Sequence, residues 1–521
     1  MSAQKPTPKK PYQPDAEADQ EERKGLLSGA DEGPTDSDDW KAELQVDKDS
    51  QSRGWSQNRI ICTAVSLIAL LITGAFARTL LLSPPQTHPN LLFHGEGVRS
   101  NGTHDFKRTV LIVSIDGLRA DYLDRGLTPH LLDISKQGLR AKALVSIFPT
   151  LTFPNHWALM TGLYAESHGI VGNNFWDPIS KSEFHYNQLS SAWNPTWWLG
   201  EPMWETAGKA GIITANLMWP GPPRTTSGAA STYFVPWKDK VPLKQKLDQL
   251  IEWIDLPFEE RPQLLMAYEP SLDQAGHRAG PMSALVNKTL GQVDVFAKDL
   301  HTALQARNLS DIVDVVFVSD HGMTDTSHPE LIYMDDILGD AGYKSIEHED
   351  GWPAMGLRFA KSANVSHNLE LLRTAAAASG GKFEVYTHET MPTRYHFTRS
   401  ERIAPIYVVP QIGYVLTSKG EGDVGMSKGN HGYDNTAPEM HAIFVAHGPF
   451  SAVVKVLHHA RNGLARRLLS RPNQGWHSTA DDTYVMDAFE NVQIYSLVMR
   501  LLGVDAVAPT NGTAAFWDKY F

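Results

Sequence analysis

Between Ile312 and Met323 the chain reads IVDVVFVSDHGM. Its apolar residues do not alternate with polar ones, so a strand built from them has no face to leave in water. A fold containing such a run must cover it on both sides, as helices do over a parallel sheet. The run stops at Asp320-His321, two polar groups placed where the cover ends. Three other stretches behave alike: TVLIVSIDGL reaches Asp116, QLLMAYEP stops shortly before Asp273, and MHAIFVAHGP is the fourth. Helical patterns separate them. Residues 107–521 are therefore expected to form one α/β domain around a mostly parallel central sheet with helices on both faces. Ligands of such sheets collect beyond the carboxyl ends of the strands. Three of the four runs end at or near an acidic residue, which is where a site belongs. The polar, aromatic stretch from His388 to Leu416 is expected to cap that site or to form an edge of the sheet.

The part before this domain is of another kind. Residues 1–58 are rich in Pro, Asp, Glu, Lys, Ser and Gln and carry no core pattern, so they read as a disordered tail. From Ile60 to Ala77 there are eighteen residues without a charge. That length suits a membrane-spanning helix, set at 59–82 and followed by a stalk over 83–106. A cleaved signal peptide fits less well, because the run begins far from the N-terminus. Arg53 and Arg59 precede the run, whereas all five N-x-S/T sequons (Asn101, Asn287, Asn308, Asn364, Asn511) follow it. Both signals put the N-terminus in the cytosol and the domain in a lumen or outside the cell, at the surface or in the vacuolar and endosomal system. Glu22, Leu26 and Leu27 resemble an acidic dileucine sorting signal, and the other reading is a solvated tail.

Charge and cysteine usage remove several classes. A net charge of −12 leaves no basic footprint for nucleic acid, so no specific binding is expected beyond oligonucleotide ends. Cys62 is the only cysteine and lies in the apolar run, so no intrachain disulfide and no thiolate metal site can form. Any metal must be held by His, Asp or Glu. Asp273 and His277, four apart, can share one face of a helical turn. Asp320 and His321 are adjacent at a strand end, where a backbone turn at Gly322 lets both reach one ion. Asp116-Gly117 repeats the strand-Asp-Gly pattern, and His431 lies between glycines in GNHGYDN. Singly, each has an ordinary structural reading. Together they supply ligands for two zinc ions, imidazole favouring zinc over magnesium. Two metals about 3.5–4 Å apart clamp both oxygens of an in-line phosphoryl displacement.

The motifs VSIDGLRADYL, FPTLTFPNHWALMTGLYAESHGIVGNNFWDP, DQAGH, VSDHGM and GNHGYDN stand in an order similar to that of nucleotide pyrophosphatase/phosphodiesterases of the alkaline phosphatase superfamily. The likeness runs from about Thr109 to Asn511 and resembles a fungal-type, single-pass form without accessory domains. It implies that Thr152 is the nucleophile, forming a phosphothreonyl intermediate that water then cleaves to release a nucleoside 5′-monophosphate. It implies one zinc at Asp116, Thr152, Asp320 and His321, and a second at Asp273, His277 and His431. Asn173 would donate to a phosphoryl oxygen, while Phe153, Trp219 and Trp237 would hold the base; ordinary aromatic packing is the competing reading for these three. Asn155, His156 and His168 are expected to support the turn and helix, and Thr150 and Thr161 are structural.

Two departures stand out. Two residues separate Pro270 from Asp273, where the family more often has none, and a basic insert occupies about 452–484. The insert reads as a solvated helix, or as a surface for a membrane or an anionic ligand. Three rivals share or border the chemistry. A sulfatase lacks its cysteine or serine here, and a monoesterase would want an arginine clamping the free phosphate oxygens. A phospholipid or lysophospholipid phosphodiesterase would use the same site. The non-enzymatic alternative is a catalytically dead, membrane-anchored binding protein.

Overall fold

Alternate residues of the first long strand point into different cores, and both cores are apolar. In the computed structural model Val110 and Ile112 join one hydrophobic cluster, while Leu111, Val113 and Ile115 join another. This is why the run does not alternate: the strand is covered twice. Each fully buried side chain of this size contributes about 1.5–3 kcal/mol. The structure describes residues 65–66, 68–74, 97–422, 426–461, 476–478, 484–518 and 520.

The chain divides into two units, Met1–Leu80 and Leu81–Phe521. In the first, residues 65–66 and 68–74 are helical and exposed. Among the described residues no helix is long and apolar enough to cross a membrane. The tail, with its dileucine signal, and the rest of the 60–77 run lie outside the described residues, as does most of the basic insert.

The second unit is built on a nine-stranded sheet. Its strands are β1 (Thr109–Ile115), β2 (Leu139–Ala141), β3 (Thr214–Leu217), β4 (Tyr233–Val235) and β5 (Leu264–Glu269). They continue with β6 (Val313–Val318), β7 (Phe444–His447), β8 (Trp476–Ser478) and β9 (Tyr484–Met486). The order across the sheet is β8-β9-β2-β7-β6-β1-β5-β3-β4. From β6 to β4 all neighbours are parallel. The sheet as a whole is mixed, because β7 runs antiparallel to both β6 and β2. The fourth apolar run is thus not the parallel strand expected of it. Its chain comes directly from the loop carrying His431 at the carboxyl edge, so it can only run back from that edge.

The helices that matter for the site are α1 (Thr152–Thr161), α2 (Leu243–Ile254), α3 (Ser271–Ala279), α4 (Ala284–Gln305) and α5 (Ile494–Leu502). Residues of α1 and α5 pack in the first cluster, and those of α2 and α4 in the second. The segment from His388 does not edge the large sheet: Met391, Tyr395, Phe397, Tyr407 and Val409 pack in the first cluster, and none of its residues lines the cleft described below. Ile406–Pro410 is an inner strand of a separate four-stranded antiparallel sheet, with its own core around Leu357, Leu372, Phe383 and Val408.

The sequons differ in surroundings. Asn308, Asn364 and Asn511 are exposed, whereas Asn101 and Asn287 are half-buried. The Asn101 amide donates to the Arg307 carbonyl at 2.8 Å, and Asn287 accepts from Arg125 at 3.0 Å.

Candidate active site and metal centre

Register brings the acidic strand ends together. Val318 pairs with Ser114 and Glu269 with Ile115, so β6, β1 and β5 finish side by side. Asp116 leaves β1 with its N–H bonded to the Glu269 carbonyl at 2.9 Å. Gly117 turns at φ +69°, and a Cβ there would sit 3.2 Å from the Asp273 backbone. Gly322 is needed for a different reason than a turn. A side chain at that position would meet the Glu439 carbonyl oxygen at 2.0 Å, so close approach of two chains selects glycine.

Two groups of potential ligands result: Asp116, Asp320 and His321, and Asp273, His277 and His431. In the first group His321 Nε2 lies 3.0 Å from Asp320 Oδ2, 3.4 Å from Asp116 Oδ1 and 3.1 Å from Thr152 Oγ1. In the second, Asp273 Oδ1 lies 3.4 Å from His277 Nε2 and 3.5 Å from His431 Nε2. The His321 and His431 rings stack at 3.5 Å and join the groups.

The arrangement fits a cation. Asp116 Oδ1, Asp273 Oδ1 and Asp320 Oδ2 are buried with no hydrogen-bond partner, a state that ordinary buried polar atoms avoid. Each histidine presents its Nδ1 to a carbonyl: His277 to Gly429 at 2.8 Å, His431 to Thr150 at 2.9 Å and His321 to Gly322 at 2.9 Å. A carbonyl only accepts, so Nδ1 carries the hydrogen, and it is Nε2 that would hold the lone pair of a neutral ring. The Nε2 atoms of His277 and His431 are 3.1 Å apart. Two lone pairs at that separation repel unless a cation answers them. Burial, then the neighbouring His321 and His277, hold His431 well below its ordinary pKa. Burial, then Asp320 and Asp273, push Asp116 well above the usual carboxyl range. Burial acts against ionisation of Asp320 too, but His321 and His156 outweigh it and hold its pKa well below that range. Three acids this close cannot all be charged without a positive partner.

Thr152 is the first residue of α1 and is 9% exposed. Local hydrogen bonds fix the turn before it. Asn155 accepts from Ile147 N–H at 2.8 Å and donates to the carbonyls of Pro149 and Leu151. Thr150 donates to the Tyr433 carbonyl at 3.0 Å and accepts from Gly432 N–H at 2.9 Å, tying the turn to the His431 loop. His156 joins the Thr152 carbonyl and Ser114 Oγ, both at 2.9 Å. Asn173 accepts from Phe153 N–H at 3.0 Å, which leaves its NH2 as the free donor.

A cleft of about 840 Å³ opens onto these groups. Asp116, Thr152, Phe153, Asn173, Trp219, Trp237, Asp273, His277 and His431 all line it. Asp320 and His321 do not line it, and both are fully buried. Trp237 is half exposed, whereas Trp219 is 4% exposed with its ring edge-on to His156 at 5.2 Å. Trp219 is a packed wall and Trp237 an open one. The sequence reading missed Tyr186, Trp193, Phe234, Arg278 and Lys428, which line the same cleft. Only Arg278 had a usable signal, since it directly follows His277 in the last turn of α3.

An alcohol at a helix N-terminus, at the carboxyl edge of parallel strands and beside two carboxylate–imidazole groups, defines a hydrolase site with candidate metal ligands. Comparison with known proteins narrows the class. Residues 110–434 match the model of the type I phosphodiesterase / nucleotide pyrophosphatase family. A pyrophosphatase/phosphodiesterase of Schizosaccharomyces pombe is 35% identical over 424 residues, covering 80% of this chain and 81% of that one. Ectonucleotide pyrophosphatase/phosphodiesterase family member 3 of Rattus norvegicus is 31% identical, and there the chain spans only 43% of the relative. The structure of murine ectonucleotide pyrophosphatase/phosphodiesterase 5 superposes with a TM-score of 0.66 at 30% identity, covering 79% of this chain and 98% of that chain. The chain belongs to the type I phosphodiesterase / nucleotide pyrophosphatase family and is a hydrolase of that class.

Proposed function

We propose that the chain hydrolyses phosphodiester and pyrophosphate bonds of nucleotides and their derivatives, releasing nucleoside 5′-monophosphates. The observation that carries this reading is Thr152 Oγ1 standing 3.1 Å from His321 of the first ligand group, in a cleft lined with aromatic rings and by the second group. The donor set of three carboxylates and three imidazoles suits two zinc ions, held by Asp116, Thr152, Asp320 and His321 and by Asp273, His277 and His431. Zinc bound there supplies Lewis-acid charge to the phosphoryl oxygens. The Thr152 oxygen attacks phosphorus as its proton leaves, the leaving group departs from the opposite face and takes up a proton, and a phosphothreonyl ester remains. Water cleaves that ester, returning the threonine hydroxyl and releasing the monophosphate. The Asn173 NH2 donates to a phosphoryl oxygen as negative charge develops there. Phe153 and Trp237 present faces for a base, and a structure of an inactive threonine-to-alanine variant of the murine relative is a complex with AMP. Arg278 and Lys428 have no ion-pair partner among the described residues, which suits an anionic leaving group.

One observation favours a second reading. Leu189 and Trp193 are exposed apolar residues of the same cleft, and a lysophospholipid acyl chain would use them. The test compares substrates. The purified chain should hydrolyse the nitrophenyl ester of thymidine monophosphate, and chelation or Thr152→Ala should abolish the activity. Zinc-loaded protein that ignores this ester but cleaves lysophosphatidylcholine would establish the lipid reading instead. We further propose that the 60–77 run anchors the chain in a membrane with the catalytic unit lumenal or extracellular. Protection of the sequon-bearing unit, and of that unit alone, from protease in sealed microsomes checks this.

A further inference from the structure

Asp116 has two unlike oxygens. Oδ2 accepts a short hydrogen bond from the Tyr268 hydroxyl, while Oδ1 has no partner and lies 3.4 Å from His321 Nε2. A carboxylate left to itself can turn about its last torsion and exchange the two atoms. The phenol removes that freedom. Tyr268 is in turn held on several sides. It is 6% exposed, and in the β5–β1 register it faces Ser114, two residues before Asp116. Its ring stands edge-on to His156 at 4.9 Å, and His156 bonds both Ser114 and the Thr152 carbonyl. Its own carbonyl accepts from Lys246 Nζ at 3.0 Å. That ammonium, 3% exposed on α2, also pairs with Glu269 at 2.7 Å. Glu269 accepts from Ser271 N–H at 2.9 Å at the start of α3, the helix that carries Asp273 and His277.

We propose that Tyr268 is a positioning residue of the metal centre: its hydroxyl occupies one oxygen of Asp116 so that the other stays aimed at the cation position. Its main chain joins the same residue to the turn from which the second ligand group starts. Outer partners of this kind set ligand direction, and losing one typically lowers metal affinity about 10–100-fold. The proposal rests on the reading of the two groups as a metal site, and metal binding itself separates the two ideas.

The experiment uses the full chain as wild type, Tyr268→Phe and Tyr122→Phe. Tyr122 is a second buried tyrosine, and its hydroxyl bonds the Pro281 carbonyl at 3.1 Å. It reports the general cost of losing such a group. Zinc is titrated in competition with a chromogenic chelator, and the visible spectrum of the cobalt-substituted protein is recorded. Expected is an affinity about 10–100-fold weaker for one of two ions in Tyr268→Phe, with an altered cobalt spectrum. Tyr122→Phe should match wild type in both. Wild-type affinity and an unchanged spectrum in Tyr268→Phe would overturn the proposal, as would equal weakening in the Tyr122 variant. A Tyr268 variant that fails to fold, when metal-stripped wild type folds, overturns it as well, because the hydroxyl would then serve the fold. Wild type that takes up no zinc removes the metal reading and this proposal together.

Discussion

The two ligand groups of the site are built in different ways. Asp116, Asp320 and His321 project from the ends of adjacent parallel strands, with side chains 0–2% exposed. Asp273 and His277 come from a helix and His431 from a loop, and in this group exposure rises to 13% at Asp273 and 30% at His277. Sheet register brings the strand ends of the first group side by side. The second needs long-range contacts: His277 is held by the Gly429 carbonyl and His431 by the Thr150 carbonyl, which belongs to the nucleophile turn. A deep group set at the strand ends should be rigid before any ion arrives. A rim group assembled from two segments is the one from which an ion should escape first.

The largest effects should come from the deep side. Thr152→Ala removes the proposed attacking oxygen but only one candidate donor, so activity toward the thymidine ester should fall at least ~10³-fold while two zinc ions remain bound. Asp320→Asn should lose comparable activity and the deep ion with it. Zinc analysis after gel filtration distinguishes the two variants. Equal metal loss in both would show that Thr152 holds the ion more than it reacts, and would break the contrast between nucleophile and ligand.

Burial alone does not make an acid a ligand, and β6 contains the control. Asp314 lies near the opposite end of the strand from Asp320, accepts from Phe450 N–H at 2.7 Å, and belongs to neither ligand group. Burial raises its pKa to about 7, against the pull of that N–H and of Arg99 and Arg108. The unfolded value is about 3.9, so the native state keeps a proton that the unfolded chain has released. The associated stability is complete below pH ~4 and is lost as pH rises from there through about 7. Asp314→Asn should therefore be more stable than wild type at pH 8, by on the order of 4 kcal/mol, with the gap closing toward pH 4. Denaturant midpoints at several pH values measure it. A gap independent of pH would mean that the carboxyl is not the cause.

On the rim, His277→Ala should retain the deep ion and lose the other, with activity reduced about 10–100-fold. Stepwise chelation of wild type should show the same order, one zinc leaving well before its partner. Simultaneous loss would show the two groups to be one cooperative centre, joined by the His321–His431 stack, and would erase the distinction between rigid and assembled halves.

The same distinction explains what the sequence disclosed. Strand ends were legible because a run buried on both faces cannot end on Asp-His or Asp-Gly without reason, and register then brought Asp116 beside Asp320. The role of Gly322 was misread, because a neighbouring carbonyl from residue 439 leaves no mark within the motif. The direction of β7 was misread because apolar runs buried on both faces look alike in either orientation. Within the segment from His388, Ile406–Pro410 joined a separate sheet, and its pairing partners such as Met355 lie about fifty residues away in sequence. Tyr268 ended an ordinary apolar run, and nothing there showed that its hydroxyl would meet Asp116.

The smallest effect should come from the open end of the cleft, where Trp237 is half exposed and no aromatic contact holds its ring among the described residues. If it stacks a base, Trp237→Ala forfeits about 1–3 kcal/mol of stacking, softened by the neighbouring Phe153 and Tyr186 rings. KM for the thymidine ester should rise roughly 5–10-fold with kcat little changed, because the contact is made equally in ground and transition states. Metal content should not move, since Trp237 belongs to neither ligand group. A fall in kcat with unchanged KM would place Trp237 in the alignment of the reacting atoms. The rim would then share the precision of the strand ends, and exposure would cease to be a guide to which half of this site does which work.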